Sequence, residues 1–199
     1  MKREKYELLC KQVESLITGE TNVVGMLANV SAAMKTVFPE EYFWVGFYLV
    51  RPKGGLVQGV FGAVQSTSAH GGYGAKVSSI GGDIKRALLL GPFQGTVACY
   101  EIPYGKGVCG TAWKERQTLV VPDVEEFPGH IACSSLSRSE IVVPMFLPDD
   151  EEEDGHGDVW GVIDIDSTEL GTFDEVDAEY LEKIAKKISE EIYNGNTLK

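Results

Sequence analysis

Three things are scarce or missing in this sequence, and each closes off a class of function. Positive charge is in deficit: 18 Lys and Arg stand against 30 Asp and Glu, a formal net charge of −12. A surface of that sign repels phosphate backbones and anionic headgroups, which argues against nucleic acid and against membrane as partners. Half of the −12 lies in one run, Asp149-Asp150-Glu151-Glu152-Glu153-Asp154, so the remaining surface is ordinary. Long apolar runs are also missing; none approaches the ~18 residues that a spanning helix needs. The N-terminal MKREKYELLCKQVESL places Glu4, Glu7 and Glu14 where a secretory signal needs an apolar core. A cytoplasmic setting is expected, in which thiols rest reduced and a disulfide is transient. The third absence is of closely spaced cysteine pairs. Zinc sites set cysteines two to four residues apart, whereas Cys99, Cys109 and Cys133 stand ten and twenty-four apart. No metal is expected.

What is present is a succession of helix and strand patterns over 199 residues, enough for one domain, 1–199, with its own core. Tyr6, Leu9, Val13, Leu16 and Ile17 recur at helical steps and predict an amphipathic helix over 2–18. Gly19 ends it, and Thr21 or Asn22 caps a second helix running to about Val37. YFWVGFYLV (42–50) reads as a strand, with Trp44, Gly46 and Tyr48 on one face and Phe43, Val45, Phe47 and Leu49 on the other. The region 51–88 reads as an insertion: 56–64 admits a strand, but 66–82 holds five glycines and four serines without period, a flexible stretch. ALLLGPF (87–93) and VACYEIP (97–103) read as strands about a turn at Gln94-Gly95. A short helix over 107–116, a strand over 118–121 and a structured loop over 122–138 follow. SEIVVPMFL (139–147) is a strand whose Pro144 favours an edge or a bulge. The acidic loop 149–158, a strand over 158–167 and a helix over 174–193 complete the chain. This order predicts an α+β domain: a central antiparallel sheet of about six strands, with N- and C-terminal helices on one face.

Three of the four cysteines fall between Gly91 and Phe146, a segment whose one histidine is His130 and which carries Glu140 ahead of an apolar run. Cys99 is expected in a strand, Cys109 at a helix start and Cys133 in a loop. Thiolate is the reactive form, favoured at Cys109 by a helix N-terminus and at Cys133 by loop amides, His130 and Arg138. Cysteine is also a common packing residue. Cys10, alone in the first helix, is read that way; three thiols in one segment favour redox chemistry. In Asp164-Ile165-Asp166 the strand period sets both carboxylates on one face. There they raise each other's pKa unless a cation or a shared proton intervenes. A solvent-facing strand end is the alternative, and Glu140 admits the same two readings. Trp44 and Tyr48 flank Gly46, leaving a hollow that would grip a methyl group, or else an aromatic core patch.

The stretches YFWVGFY, LLLGPFQG, ACYEIPYGKGVCGTAW, TLVVPDVEEFPGHIACSSLSRSEIVVPMF, GVIDIDS and FDEVDAEYLEKI resemble the free methionine-(R)-sulfoxide reductases, enzymes of the GAF fold. They cover most of 42–184, and the HIAC-to-RSEIVVP stretch is specific to that family among GAF domains. The resemblance implies reduction of free L-methionine (R)-sulfoxide through a cysteine sulfenic acid and an intramolecular disulfide. A thioredoxin-type dithiol protein would recycle it, with no metal or organic cofactor. It places the redox thiols on Cys99, Cys109 and Cys133, with Cys133 attacking and Cys99 resolving; Cys109 stays open as the attacking group. Glu140, Asp164 and Asp166 would bind substrate, Glu140 or Asp166 would protonate the sulfoxide oxygen, and Asp164 would pair with the ammonium. Trp44 and Tyr48 would hold the methyl group. The rival is a non-catalytic GAF module sensing a small ligand, which has no use for three thiols around carboxylates. A homodimer is left open. The longer 51–88 segment and the enlarged acidic loop depart from the family without removing a motif residue.

Overall fold

The computed structural model describes residues 1–52, 86–131, 133–148 and 156–197. The candidate strand at 56–64, the Gly/Ser-rich stretch and nearly all of the acidic loop lie outside the described residues.

Helical periodicity sets the first layer. In α1 (Lys2–Ile17) the side chains of Tyr6, Leu9, Val13 and Ile17 are buried, and in α2 (Val23–Val37) Met26, Leu27, Val30 and Met34 are. Asn22 caps α2, its side chain accepting from Gly25 N at 3.2 Å, which satisfies one orphan donor of the first turn. Gly19 closes α1 with φ +74°, a left-handed conformation that glycine adopts without steric cost.

Among the described residues six strands form one antiparallel sheet: β1 (Trp44–Pro52), β2 (Arg86–Gln94), β3 (Glu101–Pro103), β4 (Leu119–Val121), β5 (Ser139–Pro148) and β6 (His156–Ser167), in the order β3-β2-β1-β6-β5-β4. A short helix, α3 (Gly107–Glu115), connects β3 to β4, and α4 (Glu175–Thr197) ends the fold. The period of two divides the sheet into two faces. Val45, Phe47, Ile141, Val143, Ile163 and Ile165 pack beneath α1, α2 and α4. Trp44, Tyr48, Val142 and Val162 face the other way, toward α3. Each large apolar side chain taken fully out of water contributes roughly 1.5–3 kcal/mol, so the three-helix face holds most of the hydrophobic stabilisation. No helix among the described residues is long and apolar enough to cross a membrane.

Three expectations need correction or refinement. Phe43 precedes β1 and packs with Trp44 rather than on the opposite face. Residues 97–99 leave the sheet, so Cys99 is not in a strand; β3 begins only at Glu101. Here Tyr48 Oη donates to the Cys99 carbonyl at 3.0 Å, a long-range bond that local strand propensity does not reveal. Pro144 lies beyond the reach of β4, which pairs only with Glu140–Val142, and next to a register shift at Met145/Phe146. Pro144 therefore sits on a locally unpaired side of an interior strand, beside an irregularity rather than within it.

Candidate active site

Strand register assembles the polar side of the sheet. Asp166 pairs with Glu140 of β5 on one side and Trp44 of β1 on the other. One row along, Asp164 pairs with Val142 and Gly46, and Gly46 with Phe93 of β2. Directly opposed residues on one face sit about 4.5–5.5 Å apart, so the three carboxyl groups converge on two neighbouring strands. The β1–β6 pairing is regular across Trp44–Leu49, whereas the β1–β2 pairing shifts between Gly46 and Tyr48.

Helix α3 covers this row. It seats closely because Gly110 faces β3: a Cβ there would fall 2.4 Å from the Pro103 carbonyl oxygen. The consequence is that Cys109 Sγ stands 3.9 Å from Glu140 Oε1. From the 122–138 loop, which contains a 3-10 turn at Val124–Glu126, His130 Nε2 comes to 4.0 Å from Glu140 Oε2. Cys133 of the same loop is disulfide-bonded to Cys99, with Cα atoms 5.3 Å apart. A cavity of about 20 Å³ remains among Cys109, His130, Cys133, Glu140, Asp164 and Asp166.

The electrostatics follow from burying acids without a cation. Glu140 and Asp164 are each about 6% exposed. Burial pushes the Glu140 carboxyl well above its usual range, and Asp164 and Asp166 add to the effect. Burial and Asp166 do the same to Asp164. Asp166 is pushed up to about 6 by burial, against a hydrogen bond from Ser137 that favours its anion. Burial thus favours the neutral acid at Glu140 and Asp164, although hydrogen bonds from Cys109 and Glu140 work toward the anion at Asp164. Partial burial lowers the His130 pKa, so the imidazole is neutral and its contact with protonated Glu140 is not an ion pair. The solvent-facing reading of these carboxylates is thereby overturned. So is the expectation that a helix N-terminus favours the Cys109 thiolate. Burial, with Asp164 and Glu140 beside it, holds that thiol well above the ordinary cysteine value, outweighing a helix-end effect of at most about 2 kcal/mol.

One oxygen of the three carboxyl groups is left over. Asp164 Oδ1 is buried with no hydrogen-bond partner among the described residues, a position that invites a donor from a ligand. Ligand atoms of Cys109, Glu140 and Asp164 also lie within 4.8 Å of one another, a set able to hold a metal ion. A metal would first have to displace the protons that burial keeps on all three.

Trp44 and Tyr48 belong to the same buried cluster as Cys109 but do not line the cavity. The hollow expected at Gly46 is filled: a Cβ there would meet Phe93 Cβ at 2.4 Å and Trp44 Cη2 at 2.7 Å. Trp44 stacks on Phe93 at 5.3 Å between centroids and donates from Nε1 to Thr96 O at 3.0 Å. Cys10 packs half-buried against the three-helix core, away from this site. Sequence reasoning missed Ser137 as the partner of Asp166 and Phe93 as the partner of Trp44; serine and phenylalanine carry no signal for either role until register is known.

Comparison with known proteins bears on the same residues. The GAF domain family matches residues 44–192. The chain is 37% identical over 191 residues to the free methionine-R-sulfoxide reductase of Saccharomyces cerevisiae, covering 94% of this chain and 86% of that one. It is 45% identical over 185 residues to GAF domain-containing protein A of Dictyostelium discoideum, covering 93% and 90%. The X-ray structure of a free methionine-R-sulfoxide reductase from Neisseria meningitidis, in complex with its substrate, superposes with a TM-score of 0.75 at 39% identity, over 100% of this chain and 93% of that one.

Proposed function

The chain belongs to the GAF family and, within it, to the free methionine-(R)-sulfoxide reductases, and on that premise we propose that it reduces free L-methionine (R)-sulfoxide to L-methionine in the cavity beneath α3. The observation that carries this reading is the Cys99–Cys133 disulfide, whose Cys133 faces three carboxyl groups. A disulfide is the oxidised product that sulfoxide reduction leaves on the protein.

The chemistry starts from the reduced form. A sulfoxide sulfur accepts a thiolate only as its oxygen is protonated, and a carboxylic acid kept neutral at pH 7 is a suitable donor. Glu140 holds such a proton, with Asp166 as the second candidate. The Cys133 thiolate attacks the sulfur, the S–O oxygen passes to Cys133, and methionine leaves with the sulfur reduced. Cys133 is then a sulfenic acid. Attack by the Cys99 thiol forms the disulfide and releases water; Cys109 is buried and its thiol is held above the ordinary cysteine value, which disfavours it as a nucleophile. A thioredoxin-type dithiol protein returns two electrons, and no metal or organic cofactor is needed. The unpartnered Asp164 oxygen accepts a hydrogen bond from the substrate ammonium, which a peptide-linked methionine lacks, and that cation favours the Asp164 anion that burial alone disfavours. For Trp44 and Tyr48 to hold the methyl group, the filled hollow at Gly46 must open as substrate enters. The cavity of about 20 Å³ holds no more than about one water, so substrate enters the reduced protein. A cytoplasmic setting, rich in dithiol donors, suits this cycle.

The test supplies dithiothreitol-reduced protein with the free R-sulfoxide, the free S-sulfoxide and N-acetylmethionine R-sulfoxide, and measures methionine by chromatography. Turnover of the free R form alone is expected. Absence of methionine from the free R form would overturn the reading in favour of a non-catalytic ligand-binding module.

A further inference from the structure

Apart from the terminal Met1, the two most exposed large apolar side chains among the described residues are Val97, 87% exposed, and Tyr100, 86%. They flank Cys99. Leu136 at 57% and Ile131 at 37% flank Cys133. Each lies within three residues of a bonded cysteine, so the backbone keeps all four within roughly 10 Å of the disulfide. Among the described residues nothing accounts for the exposure of Tyr100, which is held through its backbone carbonyl, accepting from Leu90 N at 3.0 Å. Charge is missing here as well. Residues 87–100 and 127–137 contain no Lys, Arg, Asp or Glu in a chain whose net charge is −12. Exposed apolar side chains on two uncharged stretches joined by a disulfide, with Glu101 and Arg138 at their ends, mark an interaction surface, and a protein partner of either sign can approach it.

The disulfide within the patch is asymmetric. Cys133 lines the buried cavity with Cys109, Glu140 and Asp164, and Cys99 does not. Displacement at sulfur requires attacker, attacked sulfur and leaving sulfur in line. Both sulfurs belong to half-buried residues, but attack on Cys99 comes from the side away from Cys133, and so away from the cavity that Cys133 lines, whereas attack on Cys133 comes from the side away from Cys99.

We infer that Val97, Tyr100, Ile131 and Leu136 form the docking surface for the dithiol protein that recycles the enzyme, and that this protein attacks Cys99. The inference rests on the reductase reading for its purpose but not for its test. In the step, a partner thiolate bonds to Cys99 Sγ while the Cys99–Cys133 bond breaks. Cys133 leaves as the thiolate, on the cavity side where it is next used. The partner's second thiolate then attacks its own first sulfur, releasing Cys99 as thiolate. Two electrons pass to this protein, and the partner becomes the disulfide.

Single-turnover reduction of the oxidised protein, followed by thiol titration without any sulfoxide present, isolates this step. The reductants are a thioredoxin-type protein and dithiothreitol. Val97→Asp and Tyr100→Asp are expected to slow reduction by the dithiol protein roughly fivefold or more, while the dithiothreitol rate stays within about twofold. Unchanged rates with the dithiol protein, or equal losses with both reductants, would overturn the docking surface. A thioredoxin-type protein whose second cysteine is serine traps the mixed disulfide for peptide mass mapping. A link to Cys99 supports the assignment, and a link to Cys133 overturns it. Because no sulfoxide is used, failure of the reductase reading appears separately, as absent methionine with dithiothreitol.

Discussion

The two faces of the sheet use the same strands for opposite ends, and two buried aspartates show the difference. Asp177, in the first turn of α4 on the helical side, is 2% exposed. It accepts from Tyr6 Oη at 2.6 Å, from Asp174 N at 2.8 Å and from the Lys2 ammonium. Asp164, under α3, is 6% exposed and has Oδ1 unpartnered; its neighbours are other acids. The first arrangement ties α1 to α4. The second lacks the cation that would offset its burial, so it detracts from stability and stores unmet hydrogen-bonding capacity. A fold keeps such a group for a ligand or a reaction, and the contrast locates function on one face.

The largest effect should separate the cysteines of the two faces. Cys133→Ser is expected to lower turnover by at least about 10³-fold, whereas Cys10→Ser, on the helical face, leaves it unchanged. The roles within the active face are read from methionine released by reduced protein without added reductant. Cys99→Ser should still release one equivalent and then stop. One equivalent from Cys133→Ser, with none from Cys109→Ser, would transfer the attack to Cys109.

The aspartates themselves come next. Asp177→Ala removes the acceptor of the Asp174 amide, one of two partners of the Tyr6 hydroxyl and one of the two carboxylates that hold the Lys2 ammonium. Losing one partner of a buried pair costs about 3–5 kcal/mol, reduced here to about 2–4 because Lys2 remains 32% exposed. Asp164→Asn removes a carboxyl group whose ionisation burial penalises, so stability in urea at pH 7 should be equal or greater while KM for the free sulfoxide rises by about tenfold or more. Matching stability losses in the two variants would erase the distinction between the faces. An unchanged KM would remove Asp164 from ammonium binding.

The helical face was readable in advance because its information is local: Tyr6, Leu9, Val13 and Ile17 declare a buried stripe by spacing alone. The other face was readable only in part. Alternation sets Asp164 and Asp166 together, yet Glu140 joins them through register between β5 and β6, which depends on contacts distant in sequence. Cys99 has strand-forming neighbours but is drawn out of the sheet, with Tyr48 and Cys133 as its partners. The Cys109 thiol was misjudged because its helix is visible in the sequence and the carboxyl groups facing it are not. Local pattern identifies an element; it does not say which charges the element will meet.

The smallest effect, and the one that tests those electrostatics directly, is a pH slope. Asp166 has a folded pKa of about 6 against an ordinary 3.8, so between these values the folded state binds more protons than the unfolded one. Stability must therefore fall as pH rises from about 4 to about 6, by at most about 1.4 kcal/mol per pH unit for one proton. Below the window the group is protonated in both states, and above it the penalty is constant. Glu140 and Asp164, which face Asp166, are also raised by burial, so their contributions run in the same direction. Surface acids work in the opposite direction: the Lys2 ammonium holds Asp174 low, and the whole-protein profile mixes the two. The difference between wild type and Asp166→Asn in urea, from pH 4 to 7, isolates the site. Wild-type stability should decline relative to the variant across pH 4–6 and run parallel above it. A flat difference would mean that Asp166 ionises as it does in water, and that the polar face is less closed than its geometry requires.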